Sequence, residues 1–498
     1  MVSISDTLPV RWFRRRFLSD SEKQLVTLGL MGVVFALVCG WGVFATGIPW
    51  SGTADSRLHL DYAWQVGHGE LPAFWDGTEA PLDGYKSEIQ FVSHHPPLYY
   101  ALLAPIVTPL LDAGHVSAAI LAARVFSIFI GILCALALAW GGWLVGGKHR
   151  ALFAVATPAI ATALLAFNVT GDIMNDGLAT LFSIAAMVGS ILIIQKGLSA
   201  KYVWLLALVC LGGMASRSSF IGTLAVVFIA IFIAAFLHGQ GRSWRQFFVA
   251  SGICAVIVTV LIAGIGWFYY HNYQLSGSLF RNRPAGSAQQ ILHRRNKTLP
   301  FVLKSPGLWD MVTTKFYGKE WKILPKVGSH TVNYWLSIGV WLYISTGVFL
   351  RWRSSRSSIS KTQLAIVGLL ILQFMIVYGQ QIAYAVGYGG FNRRYLLPAW
   401  LPFGLFLAAG ALYWQKLRGL AVVTIAGLAW LAVYAQVINF LVTRSGIDST
   451  KPWEVLKIGI VDINHLPDVL LPLLTVGLLA GLAIQGIVLW KLTTQVNR

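Results

Sequence analysis

Charge is what this sequence has least of. Of its 498 residues, 11% are charged and 56% are hydrophobic, whereas a soluble globular chain carries about a quarter charged residues. That shortage excludes a cytosolic enzyme, a disordered segment and a coiled coil, all of which need a hydrated, charged surface. Cysteine is nearly missing. The four present, Cys39, Cys134, Cys210 and Cys254, all lie in apolar runs. A disulfide-stapled secreted domain is therefore excluded, and the four read as small core hydrophobes. Acids are scarcer than bases, 19 against 38 Lys and Arg, for a net charge of +19. The apolar segments do not alternate with polar residues, so an outer-membrane barrel is excluded too.

What the chain has in abundance is continuous apolar sequence. About twelve runs are long enough to cross a bilayer. They fall near 25–46, 117–146, 150–168, 176–195, 202–216, 218–237, 247–270, 333–350, 362–380, 395–414, 419–441 and 469–490. The fold class expected is an all-α polytopic membrane protein, with residues 25–498 as one transmembrane domain. Arg217 interrupts the fifth and sixth runs, which leaves either two short helices or one broken one.

Sidedness follows from the bases. Arg11, Arg14, Arg15, Arg16 and Lys23 precede the first run, and no cleavage signature follows it. The basic segment 1–24 is expected to remain cytoplasmic. Lys148, Arg150, Lys196, Lys201, Arg242, Arg245, Arg351, Arg353, Lys416 and Arg418 then fall on the same side. Lys491 and Arg498 place the C-terminus there as well, as the positive-inside rule requires. In this layout Asp6, Asp20 and Glu22 are the cytoplasmic acids, and sixteen acids lie outside. Chemistry is expected on the outer face. Three outer segments stand out, 47–116, 271–332 and 442–468. Loops of such length usually carry function.

The first of them is the most informative. Leu58, Tyr62 and Val66 recur at helical spacing, and Gly67 and Gly69 would end that helix. Asp55 and His59 are four apart and share a face. Asp55 opens the helix, so capping explains it as well as chemistry does. Further on, Pro97 suits the first turn of a helix reaching about 111. Trp64, Trp75, Phe91, Tyr99 and Tyr100 suit a membrane interface. His94 and His95 are adjacent, so they do not share a helix face, and they make a weak metal signal. The second outer segment is basic, with Arg281, Arg283, Arg294, Arg295, Lys297, Lys304, Lys315, Lys319, Lys322 and Lys326 against Asp310 and Glu320. Phosphate binding and attraction to anionic headgroups explain it equally. Arg217 and the Arg393–Arg394 pair, at span ends, are sharper candidates for an anion.

Several short stretches together resemble one family. They are Asp55 with His59 after the first span, Gly69-Glu70-Leu71-Pro72, and His95-Pro96-Pro97-Leu98-Tyr99-Tyr100. Arg124, Asn175-Asp176-Gly177-Leu178-Ala179, Gly266-Trp267-Phe268-Tyr269-Tyr270-His271-Asn272 and Arg394-Tyr395-Leu396-Leu397-Pro398 follow in order. This succession resembles the GT-C glycosyltransferases, in the branch of the aminoarabinose transferases and protein O-mannosyltransferases. The resemblance implies an inverting transferase that moves a sugar from a polyprenyl-phosphate carrier to the hydroxyl of a lipid, glycan or protein. It implies Asp55 as general base. His59, His95, Tyr99, Arg124, Arg217, Lys315, Lys319, Arg393 and Arg394 become candidates for binding substrate. Many members carry a second acid directly after the first, where this chain has Ser56. Some relatives use a divalent cation and others none. No complete ligand set is visible here, so no metal ligand is assigned. The competing reading is a polytopic transporter or lipid-linked glycan flippase. It would call for two related halves and charges at mid-membrane, but no repeat is visible and the acids cluster outside the spans.

Overall fold

The computed structural model describes residues 19–49, 54–164, 170–239, 243–282, 296–310, 313, 326–355, 359–388, 390–414, 417–444, 446–447 and 451–496. Helix dominates them. The long helices are α1 (Asp20–Gly47), α4 (Val116–Val145), α5 (Arg150–Leu164), α6 (Asp176–Lys196), α7 (Ala200–Ser216), α8 (Ile221–His238) and α9 (Ser243–Ser276). After them come α12 (Val332–Ser355), α13 (Lys361–Tyr388), α14 (Trp400–Ala411), α15 (Arg418–Arg444) and α17 (Leu470–Val496). Each of the twelve expected runs thus contains a helix. Among the described residues, eight helices are long and apolar enough to cross a membrane. The chain is a polytopic α-helical membrane protein. The start of α1 shows the local logic: Ser19 accepts the Glu22 N–H, and the Glu22 carboxylate accepts the Ser19 N–H at 3.0 Å. This reciprocal cap satisfies donors that the first turn leaves open.

The short helices belong to the connecting segments. The segment 47–116 contributes α2 (Ala54–Gly67) and α3 (Leu98–Asp112). The segment 271–332 contributes α10 (Leu299–Lys304), α11 (Pro306–Asp310) and a two-stranded hairpin, β1 (Lys326–Val327) with β2 (His330–Thr331). The segment 442–468 contributes α16 (Pro452–Ile458). Lys315 and Lys319 lie outside the described residues.

The first loop is folded into the protein body. Asp61 is the reason. It is fully buried, and its Oδ1 accepts the N–H groups of Glu79 and Ala80 at 2.7 and 2.8 Å. Its Oδ2 accepts the amides of Gln65 and Gln90. One carboxylate therefore ties α2 to the chain that follows it, and burial is the main force that raises its pKa, against those four bonds. Tyr62, Tyr99 and Tyr100 are fully buried around it. This corrects the reading of Tyr99 and Tyr100 as interface aromatics. Packing of α3 between α2 and α4 takes them out of contact with lipid.

The end of α1 is clamped as well. Arg124 on α4 donates to the carbonyls of Ala45 and Ile48 at 2.7 and 2.9 Å and to that of Pro49 at 3.3 Å. Asn464 donates to that of Thr46 at 2.8 Å. A cation at the carbonyl end of a helix also opposes the helix dipole. Arg124 was a candidate substrate ligand. Its guanidinium is instead turned onto the main chain of α1, where it fixes the direction in which the chain leaves toward Asp55.

Candidate functional site

The site is assembled from four segments of the fold. Asp55 stands in the first turn of α2, one residue inside the helix rather than at its cap. The positive end of the helix favours a carboxylate there. Asp176 is the first residue of α6. Arg217 lies in the extended break between α7 and α8, so the interruption read from the sequence is two helices joined at this residue. Arg394 and Tyr395 lie in the 3₁₀ turn Arg393–Ala399 that precedes α14.

These residues form a chain of opposite charges. Arg394 Nη2 donates to Asp55 Oδ2 at 2.8 Å. Its Nη1 reaches Met174 Sδ at 3.3 Å. The Arg394 and Arg217 guanidiniums each lie 5.3 Å from the centre of the Tyr395 ring, so one aromatic stabilises both cations. Arg217 Nη1 closes on Asp176 Oδ1 at 2.7 Å and on Asn175 Oδ1 at 3.0 Å. Asn175 donates in turn to the Ser216 carbonyl at 3.1 Å. The break after α7 and the start of α6 are thereby stapled together. Arg393 is half-buried beside Arg394.

Two acids in this cluster keep an unused oxygen. Asp172 Oδ1 accepts Ser56 Oγ at 2.7 Å, while its Oδ2 is buried without a partner. Asp176 Oδ2 is also buried and unpartnered. Ser56 stands where the resembling family often has a second acid, and here it turns to Asp172. The sequence reading missed Asp172 and treated Asp176 only as part of a motif. Asp176 opens an apolar helix and Asp172 lies in the turn just before it, and an acid beside long apolar runs is a signal in its own right.

The electrostatics set the protonation states. Burial would raise the Asp55 carboxyl, but Arg394, His59 and Arg217 outweigh it and hold it below the usual aspartate range. Burial would weaken the Arg394 guanidinium, but Asp176, Tyr395 and Asp55 hold it above its ordinary value. The Asp55 side chain is 33% exposed, so this pair is reachable from one side. His59 is buried one turn along α2, with Nδ1 2.8 Å from Tyr100 Oη. Burial pushes His59 down to about 4, so the ring is neutral near pH 7. His95 stacks parallel to it, with ring centres 6.0 Å apart, and its Nδ1 is buried without a partner. Tyr99 Oη lies 3.4 Å from Ser127 Oγ. The structure therefore brings Asp55, Arg217, Arg394 and Tyr395 into one cluster, with His59 beside Asp55. His95 and Tyr99 lie in the aromatic shell around His59, and Arg124 lies apart. Among the described residues no group of three His, Cys, Asp or Glu side chains is arranged to hold a metal ion.

Comparison with known proteins adds the following. No family model matches the chain, and no curated protein sequence does. Among solved structures it is similar to the oligosaccharyltransferase AglB of Archaeoglobus fulgidus, in complex with an inhibitory peptide and a dolichol-phosphate. That match has a TM-score of 0.47 and 10% identity over 89% of this chain and 60% of the other. It is also similar to ArnT of Cupriavidus metallidurans bound to undecaprenyl phosphate, with a TM-score of 0.45 and 13% identity over 93% of this chain and 75% of the other. Both solved proteins are GT-C superfamily membrane glycosyltransferases. The chain spans 60% of the oligosaccharyltransferase's length. At TM-scores below 0.5 these similarities decide nothing about the chemistry of this chain.

Proposed function

We propose that this chain is a membrane glycosyltransferase of the GT-C kind, moving a sugar from a polyprenyl-phosphate carrier to an acceptor hydroxyl at the outer membrane face. The observation that carries the reading is the Asp55–Arg394 pair at 2.8 Å, a base and a cation held together at a partly open end of the helical bundle. Sugar transfer needs those two functions at adjacent points: a base for the hydroxyl and positive charge for the departing phosphate.

The step balances as follows. The acceptor O–H gives its proton to the Asp55 carboxylate. The oxygen forms a bond to the anomeric carbon from the face opposite the phosphate, so configuration inverts. The carbon–oxygen bond to phosphate breaks, and polyprenyl phosphate leaves with the electron pair. A carboxylate held low is a weak base in the ground state, but the hydroxyl becomes acidic only as its oxygen bonds to carbon. Protonation of Asp55 removes the counter-charge of Arg394 in the same step that puts charge on the phosphate. Arg394, backed by Arg217, then has a new anion to hold. His59, neutral and braced by Tyr100, keeps a second charge away from Asp55 and lines the sugar side. His95 and Tyr99 shape that wall. Arg393 joins the phosphate contacts. Asp176 positions Arg217 from behind and adds its charge near Arg394.

The pH dependence follows in sign. Asp55 is depressed, so its carboxylate is ionised from below the ordinary aspartate range upward, and rate is lost only as pH falls through that low value. His59 is already neutral at physiological pH. Turnover should therefore be level between about pH 5 and 7, with no inflection in the ordinary histidine range near 6.5. A pH–rate profile that rises through such an inflection would place the proton elsewhere.

Binding of a synthetic polyprenyl phosphate to the purified protein in lipid tests the donor. Wild type and Asp55→Asn are expected to bind saturably, and Arg394→Ala roughly tenfold or more weakly, as for a lost charge-assisted bond. Binding no better than to an unrelated membrane protein would remove the carrier from the scheme and leave the transporter reading in front.

A further inference from the structure

A second concentration of charge lies at the opposite end of the helices, and nothing in the transfer scheme uses it. The chain alternates direction through the bundle, so the end of α4 and the starts of α5 and α15 are remote from α2. There the 3₁₀ turn Gly147–His149 carries Lys148 and His149, and Arg150 opens α5. Arg351 comes from the last turns of α12, and Arg418 is the first residue of α15. Arg418 is 8% exposed, and its Nε and Nη1 are buried with no hydrogen-bond partner. His149 Nδ1 is likewise buried and unpartnered. Among the described residues none of these five side chains, four of them cationic, has a carboxylate partner. The described acids at this end, Asp20 and Glu22, are engaged by Lys23 and by the α1 cap.

This differs from an ordinary basic fringe. Lysines and arginines at a membrane boundary normally extend their charged heads into water or headgroups. Arg418 does the reverse: its guanidinium is turned into the protein, where an unmet charged donor is costly. It also stands at a helix N-terminus, where the dipole repels a cation and attracts an anion. The beginning of α5 presents a second N-terminus nearby. The charges are mutually close. Burial, then Arg351, Arg418 and Lys148, push His149 down to about 4, which keeps the ring neutral and able to donate one N–H. Arg351 is held over the Phe153 ring at 5.5 Å and Arg150 over Trp143 at 4.8 Å, so both arginines are oriented by aromatics rather than by acids.

We propose that Lys148, His149, Arg150, Arg351 and Arg418 form a second anion site that takes a phosphate group, at the end of the bundle remote from Asp55. A tetrahedral phosphate suits it, because guanidinium groups offer paired N–H donors to such oxygens. A phosphate diester of an anionic lipid headgroup and dissolved inorganic phosphate share that chemistry. The site does not depend on the transferase reading.

Thermal unfolding of the full-length, delipidated protein in detergent tests it, with phosphatidylglycerol, phosphatidylcholine or inorganic phosphate added against chloride at equal ionic strength. Phosphatidylglycerol should raise the wild-type melting temperature in a saturable way, and phosphatidylcholine should not. Arg418→Met should need about tenfold or more phosphatidylglycerol for the same rise. Arg418→Lys, which keeps charge without the fork, should fall between them. A matching rise with inorganic phosphate shows that the phosphate group suffices. A rise confined to phosphatidylglycerol shows that the lipid is the ligand. Equal responses to phosphatidylglycerol and phosphatidylcholine would overturn the proposal, as would an Arg418→Met protein that responds like wild type. If Arg418→Met folds too poorly to melt cooperatively, Arg351→Gln at a half-buried position carries the same comparison.

Discussion

Asp55→Asn is expected to lower transfer about a thousandfold, within the range that a positioned general base contributes, while leaving binding of polyprenyl phosphate close to wild type. The substitution is nearly isosteric. An amide still reaches Arg394 as an acceptor, so the geometry of the 2.8 Å contact can survive. It cannot take a proton from the attacking hydroxyl. Removing the charge leaves Arg394 with Asp176 and Tyr395, which also hold it in its charged form. The structural cost should be small, because the Asp55 side chain is a third exposed and such pairs contribute roughly 1 kcal/mol or less. Asp55→Glu moves the carboxylate by a methylene and should recover only part of the rate. Turnover by the Asn variant above a tenth of wild type, with unchanged melting, would remove Asp55 as the base.

The second large effect concerns stability. Arg217→Met should destabilise the protein by about 3–5 kcal/mol, the range for breaking a buried ion pair by removing one partner. The Arg217 and Asp176 side chains are 11% and 5% exposed, and they meet at 2.7 Å. With Arg217 gone, Asp176 becomes a buried carboxylate whose Oδ2 already has no partner. Asn175 also loses the donor to its Oδ1, so the staple between α6 and the α7–α8 break weakens. Replacing both charges, as Arg217→Met with Asp176→Leu, should recover much of the loss, since no charge is then left unpaired. That double variant should still be inactive, because Arg394 would lose Asp176 and the phosphate would lose Arg217. Unfolding in mixed micelles, followed by tryptophan fluorescence, reads the series. A single variant that melts with wild type would mean that the pair is not desolvated as the structure has it.

The comparison of sequence with structure turns on the range of each signal. The break at Arg217 was legible because an arginine between two apolar runs ends a helix locally. The start of α3 at Leu98 was legible because Pro97 fixes its own backbone and suits a first turn. Asp55 was marked by its place after a span and by resemblance. Arg394 was marked too, as a candidate for an anion, but its pairing with Asp55 was not, because 339 residues separate the two. Asp61 was not singled out in the sequence, and only the packed loop shows it collecting four donors. Arg124 became a candidate ligand through the resemblance. The direction of its guanidinium depends on where α1 ends, and spacing does not report that.

By itself, then, the sequence determined that this is a helical membrane chain, where its helices lie and which charges are too costly to be idle. Those properties follow from hydropathy and chain chemistry over windows of about twenty residues, the thickness of a bilayer. The tertiary structure decided which charges meet. It joined Asp55 to Arg394 and Arg217 to Asp176, turned Arg124 inward, and left Arg418 Nε and Nη1 without a partner among the described residues. Helices distant in sequence pack by shape, and a charge buried by that packing is defined by whatever the neighbouring helix brings to it.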